Sequence, residues 1–400
     1  MPGETLTSFD YALKEYYTDS RVIDMVYKRN PWLAMCPKRE DFYGDLMPIP
    51  TIYGNPQGVS NTFSTAQTNK TPSQGVKFNL TRARKYGLVD IDNETLLASQ
   101  SQKGAWLEAR VVAINGVINA LSRQAAVAMY RDSGGAIGQI GTVSTDTITL
   151  TDISEITNFE VNMELVASAN LDGSSPRTGS ATVTQVDRGA GQLVSDSNWS
   201  SQITSIAAND YLFIEGSIAA EIEGLSGWIP ASAPTSTAFF GVDRSVDTDR
   251  LGGNRVTGTN QPIEEAIIEG ASRAGREGGE PDCCFLNFEK YSDLEKSLGS
   301  KVQYIEVQAT ANVMFPGIRV NGPSGVISVF PDRNAQPDVA WLLQKDTWVL
   351  ASLGPVPRVL NADGLQMLRL SSSDGVEARW GMYYNLGCRA PGFNTRVSLS

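Results

Sequence analysis

One apolar stripe restricts the fold more than any other feature. In Gly104–Arg131 (GAWLEARVVAINGVINALSRQAAVAMYR), Leu107, Val111, Ile114, Ile118, Leu121, Ala125 and Ala128 recur at alternating spacings of four and three. Side chains so spaced share one face of an α-helix, and the segment would run roughly 42 Å at 1.5 Å per residue. A heptad-like repeat also suits a coiled coil. However, Val112, Val117 and Val127 widen the stripe, and no ladder of charges flanks it. The spacing predicts a long helix laid across a sheet, and no proline interrupts the chain between Pro72 and Pro176.

The segments on either side are of different kinds. Residues 5–30 carry helical spacing, with Phe9, Leu13 and Tyr16 or Tyr17 three to four apart and Val22, Ile23 and Val26 following. Pro31, Pro37, Pro48 and Pro50 then break any helix, and Leu46–Tyr53 reads as an exposed or edge strand. A polar stretch, Gly54–Gly75, precedes Val76–Asp92, where Val76, Phe78 and Leu80 alternate. The pair reads as a two-stranded arm without a core of its own, marginal in water unless it rests on something else.

Downstream of Ser133-Gly134-Gly135, residues 143–215 hold short alternating runs separated by Gly, Asp, Ser and Asn. That pattern predicts a small antiparallel barrel or sandwich inserted between dissimilar regions. An irregular stretch reaches to Gln261. Pro262–Glu277 then has proline and acids at its start and glycines at its stop, the signals of a helix. The strand Cys283–Phe288, the helix Glu289–Leu298 and the strands Gly325–Phe330, Val339–Gln344 and Thr347–Leu353 describe an α/β or α+β domain. Leu365–Arg369 and Ala378–Leu386 return to strand. Four hundred residues leave room for two or three domains at ~150 residues each.

Histidine is absent from the whole chain. Nucleophile systems that rely on histidine, histidine zinc sites and histidine pH switches are thereby excluded. The four cysteines, Cys36, Cys283, Cys284 and Cys388, lack C-x-x-C spacing and read as buried free thiols in a reducing compartment. Adjacent in a strand, Cys283 and Cys284 should face opposite ways. Gly134–Gly141 (GGAIGQIG) follows a helix instead of a strand, so it fails as a dinucleotide fingerprint. Asp243, Asp247 and Asp249 echo a calcium loop but lack its glycine and closing glutamate. With Arg244 and Arg250 between them, ion pairs that hold an irregular loop are the better expectation. No catalytic residue, metal ligand or cofactor is expected, and neither a secretory leader nor a membrane span.

Charge is unevenly placed. The net charge is −11, and residues 136–216 hold ten acids against Arg177 and Arg188. Between Asp45 and Asp90 there is no acid, while Lys70, Lys77, Arg82, Arg84 and Lys85 are basic. Both blocks suit ordinary solvated surfaces, yet arm and acidic region also suit attraction between copies. A net-negative chain is a poor general binder of nucleic acid. An arm that cannot bury itself fits a self-assembling subunit, whose neighbours supply the missing contacts.

The order of segments, together with the strings GLSGWIPASAP (Gly224–Pro234), FFGVDRSVDTDRLGG (Phe239–Gly253), GPSGVISVFPD (Gly322–Asp332) and YNLGCRAPGFNTRVSL (Tyr384–Leu399), resembles the tailed-bacteriophage major capsid proteins. Their architecture is the Hong Kong ninety-seven fold, an α+β class. The resemblance implies an N-terminal arm at 1–40, an extended two-stranded loop at 41–92 and a peripheral-domain spine helix at 93–133. An inserted β domain would occupy 134–216, an axial domain 217–360, and closing strands of the peripheral domain 361–400. It implies a structural protein, not an enzyme, forming hexamers and pentamers of an icosahedral shell around double-stranded DNA. Its partners would be copies of itself, with a separate scaffold, a portal and decoration proteins. Its place would be the virion capsid, assembled in the host cytoplasm. Lys70, Lys77, Arg82, Arg84 and Lys85 would dock on a neighbouring subunit by salt bridges and backbone pairing. The other readings are an encapsulin-like compartment, a carboxylate-based hydrolase, and a phage tail or tube protein.

Overall fold

The computed structural model describes residues 30–95, 109–298, 304–310, 313–323, 325–360, 367–370 and 373–399. The helical spacing over 5–30, the start of the long helix and Leu365 lie outside the described residues. The chain divides into two compact units.

The larger unit comprises Asn30–Arg82, Ala126–Ala351 and Asn385–Ser400. Its centre is a seven-stranded mixed sheet ordered Asn254–Thr257, Thr395–Ser398, Val339–Leu343, Cys283–Leu286, Gly325–Pro331, Val313–Gly322, Tyr304–Thr310. The helices Ile263–Arg276 and Phe288–Leu298 cover one face, where Ala266, Ile267, Ala271, Leu294 and Leu298 meet Cys284, Leu286, Val329, Leu342 and Val397. Gly270 lets the first helix sit close, because a Cβ there would lie 2.7 Å from Val397 Cγ2. That helix starts after Pro262, carries Glu264 and Glu265 in its first turn and Arg273 and Arg276 in its last, and so complements its own dipole. It ends before Gly278, whose φ of +86° favours a residue without a Cβ. Cys283 alternates to the opposite face, and all four cysteines are free and buried. Burial pushes each thiol up, away from the thiolate.

Inserted in this unit is a closed six-stranded barrel. Its strands are Gly138–Ser144, Thr147–Leu150, Glu164–Ser168, Ala181–Asp187, Gln192–Ser195 and Tyr211–Ile214. Ile140, Ile148, Phe159, Leu165, Val183, Leu193, Trp199 and Leu212 fill the interior. Many of its acids shape turns. Asp152 accepts from Ser154 N, Asp172 from Ser174 N, and Asp187 from Gly189 N and Ala190 N. Turn chemistry thus accounts for part of the local acidic excess.

In the smaller unit, Ala83–Asp92 pairs along its whole length with Gly375–Tyr384, and Arg358–Val359 and Leu368–Arg369 pair with that same strand. Gly87 marks where the long helix crosses, since a Cβ there would lie 2.7 Å from Val117 Cγ1 and 3.0 Å from Leu121 Cδ1. The described helix is Ala109–Ala128, and its last residues belong to the larger unit.

Two segments differ from the sequence reading. Val76–Asp92 is not one strand. It breaks at Thr81-Arg82, and Gln74–Leu80 pairs with Met47–Gly54 while Ala83–Asp92 belongs to the other sheet. Residues 361–400 also divide, because Thr395–Ser398 lies inside the seven-stranded sheet between Asn254–Thr257 and Val339–Leu343. Ser352–Leu360 likewise falls in the smaller unit. Among the described residues, no helix is long and apolar enough to cross a membrane.

Candidate assembly interface

The two-stranded sheet pairs Met47 with Leu80, Ile49 with Phe78 and Thr51 with Val76. Alternation then separates its faces. Ile49, Thr51, Phe78 and Leu80 point inward, while Pro48, Pro50, Ile52 and Lys77 point out. Pairing continues across Pro48 and Pro50, so their nitrogens, which lack hydrogen, face the outer edge. That edge is a poor template for a further strand. Docking by strand addition along Met47–Gly54 is therefore disfavoured, and side chains must carry contacts on that side.

The root of this hairpin is fixed to its own unit. Phe78 is fully buried, with ring centroids 5.1 Å from Trp228 and 6.4 Å from Phe239. Ile49 fits against Gly387, where a Cβ would meet Ile49 Cδ1 at 2.6 Å. Thr51 Oγ1 donates to Arg389 O at 3.0 Å, and Asn79 N donates to Phe240 O at 2.9 Å. The aromatic cluster around Trp228 was not singled out in the sequence, although adjacent Phe239-Phe240 offered a signal.

Beyond Tyr53 the hairpin is bare. Residues 55–73 include the short helix Phe63–Thr68 and one mutual tie, Gln57 N to Thr71 Oγ1 and Thr71 N to Gln57 O, each 2.8 Å. Ile52, Val59 and Phe63 are 74%, 92% and 83% exposed. Single exposed apolar residues are ordinary, but here three of them lie on one hairpin.

The five basic residues are divided between the two units. Lys70 and Lys77 are exposed on the hairpin. Arg82 turns inward, where its guanidinium donates to Phe42 O and lies 5.0 Å from the centre of the Phe42 ring. Arg84, exposed, and Lys85, half-buried, are carried by the smaller unit on Ala83–Asp92.

The aspartates and arginines of 243–250 pair less with one another than with the surroundings. Asp243 accepts from Ser245 N at 2.9 Å, and the Ser245 donors hold its carboxyl below the ordinary range. Arg244 donates to Gly227 O and Trp228 O at 3.0 Å each and stacks 3.8 Å from the Phe239 ring centre. Burial pulls its pKa down to about 10, with nearby Glu223 opposing. Asp247 approaches Arg250 at 3.8 Å, whereas Arg250 meets Glu277 at 2.9 Å and donates to Tyr53 O at 2.6 Å. Asp249 pairs with Arg255 at 2.7 Å and Arg273 at 3.7 Å. Through Tyr53 and Trp228 this loop braces the hairpin root. Among the described residues, no group of three or more Cys, Asp or Glu is placed to hold a metal ion.

Solved structures share the overall fold. The capsid asymmetric unit of cyanophage A-1(L) matches with a TM-score of 0.55 at 11% identity, over 96% of each chain. The capsid of a native GTA particle matches at 0.52 and 8% identity, over 97% of this chain and 95% of that one. The fold is that of the phage capsid proteins. An encapsulin from Synechococcus elongatus PCC 7942 shares the capsid fold at 0.50 and 6% identity, over 100% of this chain and 96% of its own. No protein-family model and no curated protein matches the chain.

Proposed function

We propose that this chain is a structural subunit that assembles with copies of itself into hexamers and pentamers of a closed icosahedral shell enclosing double-stranded DNA. The supporting observation is the hairpin of the capsid fold, fixed at its root by Phe78 and bare at Ile52, Val59 and Phe63. A surface anchored at its root yet uncovered suits docking on an adjacent copy, with apolar contact at the tip and Lys70 and Lys77 in support. Scaffold, portal and decoration proteins would be its partners, the virion capsid its location and the host cytoplasm its place of assembly. The role is structural rather than enzymatic.

A compartment shell of the encapsulin kind is the second reading, because an encapsulin shares the fold over the whole chain. Expression of the full chain, followed by sizing and negative-stain microscopy, tests the proposal. Closed particles of megadalton mass are expected. A monomer or dimer that stays unassembled at high concentration with its scaffold would refute it. Particles isolated from infected or producing cells separate the two readings, because DNA-filled shells support the first and protein-filled shells the second.

A further inference from the structure

Arg396 is an arginine without an anion. On Thr395–Ser398, it lies largely buried where the barrel meets the seven-stranded sheet of the same unit. Its guanidinium stacks 5.2 Å from the centre of the Trp341 ring, its neighbour across the strands. Among the described residues it makes no ion pair, and its Nε is buried without a partner. Arg131, only 8% exposed, faces the same place. One of its amino groups reaches Glu155 at 2.7 Å, but its Nε is also buried and unpartnered.

Two adjoining cavities of about 260 and 320 Å³ share Arg131, Leu171, Gln336 and Arg396 as walls. Each exceeds several times the ~30 Å³ of one water. The acids along these walls are already engaged. Glu155 holds Arg131, Asp338 holds Lys290 at 2.7 Å, Asp152 caps Ser154 N, and Asp132 accepts from Gly134 N at 3.1 Å. Asp132 acts on Arg396 electrostatically, but among the described residues no ion pair joins them, and burial raises the Asp132 carboxyl above its ordinary range. Burial in turn pulls Arg396 down to about 10. A buried cation lacking a partner is costly, and such groups in native proteins call for an explanation. A guanidinium plane fixed by stacking, in cavities that a second arginine also lines, suits binding of an oxyanion.

We propose that the cleft between barrel and body binds a small oxyanion, a phosphate or a carboxylate, on Arg396 and Arg131. The anion would also tie the barrel to the sheet, since the two arginines and Leu171 come from different elements around it.

The test is titration of the full chain with inorganic phosphate and, separately, malonate, against chloride at matched ionic strength, read by calorimetry and by melting temperature. Saturable binding at one site per chain is expected, and whichever probe binds more tightly identifies the anion class. Arg396→Met should weaken binding at least tenfold while melting no lower than the wild type without anion, because it removes an uncompensated charge. Leu171→Trp keeps both arginines, fills their shared wall and should also weaken binding at least tenfold, so it decides the matter should Arg396→Met fail to fold. No saturable binding of either probe to the wild type, or undiminished binding in the folded variants, would overturn the proposal.

Discussion

The phenol of Tyr130 donates to the buried carboxylate of Asp332 at 2.8 Å, across 202 positions of sequence. The same carboxylate accepts from Trp32 N at 3.3 Å, Asn334 N at 2.9 Å and Asn334 Nδ2 at 3.0 Å. It thus joins the segment entering at Asn30, the end of the long helix and the turn after Gly325–Pro331. Burial dominates and lifts the Asp332 carboxyl above its ordinary range, against the pull of these donors. Folded Asp332 therefore holds its proton to higher pH than the unfolded chain does. Its contribution to stability is full below the ordinary value near 4 and declines as pH rises through the raised one. Asp332→Asn removes that titration and turns an amide toward some of the donors. The variant should lose about 1–3 kcal/mol at pH 4 and a smaller amount at pH 8. Melting curves across that range check this, and a deficit that is constant or grows with pH would count against it.

The hairpin should separate stability from assembly. Phe78→Ala opens a cavity beneath Trp228 and should cost about 3–5 kcal/mol, with early proteolysis in residues 55–73. Phe63→Ser, at an exposed position, should change stability by no more than about 0.5 kcal/mol and yet prevent particle formation. Lys70→Glu with Lys77→Glu should likewise leave a folded subunit, whereas Arg82→Glu should destabilise it, because Arg82 is held against Phe42. Denaturant melts and micrographs of each variant distinguish these outcomes.

The contrast between Lys70 and Arg82 also marks what the sequence made legible. The long helix, the hairpin strands and the barrel runs were visible because the apolar residues of each recur at its own period, 3.6 or 2. Partners set by tertiary placement were not. The acceptors of Arg244 are backbone carbonyls of Gly227 and Trp228, which no side-chain pattern displays. Asp249 found Arg255 and Arg273 outside the motif in which it was read. Asn254–Thr257 and Thr395–Ser398, four residues each, are too short for alternation to stand out; they pair with one another, and Thr395–Ser398 pairs also with Val339–Leu343. Arg396, the centre of the proposed anion site, sits on one of these.

Gly87 offers a probe confined to the smaller unit. A side chain there would collide with Val117 and Leu121 on the long helix. Gly87→Val should destabilise this unit by about 1–3 kcal/mol, the usual cost of overpacking, and leave the larger unit intact. Hydrogen exchange resolves the two, with protection lost over Ala83–Asp92 and Gly375–Tyr384 and retained in the barrel. Equal loss in both units would mean that the helix contact is not local.

The barrel should fold when cut from its host. Its entering and leaving strands lie side by side, with Gln139 opposite Tyr211 and Ile137 N donating to Leu212 O at 2.9 Å. Excision therefore leaves no unpaired edge, because closure removes edges altogether. Its interior draws almost wholly on its own residues, with Val127 the contribution from the long helix. Within it, Arg177 grips Asp210 through two bonds of 2.9 Å, and the same carboxylate accepts from Ala207 N at 3.0 Å. A fragment spanning 134–216 should melt cooperatively, and Asp210→Ala should lower its stability by about 2–4 kcal/mol through loss of both the ion pair and the turn acceptor. Circular dichroism and amide chemical-shift dispersion of the fragment decide the matter. A fragment with collapsed dispersion would show that the sheet beside it, not its own closed core, keeps the barrel folded.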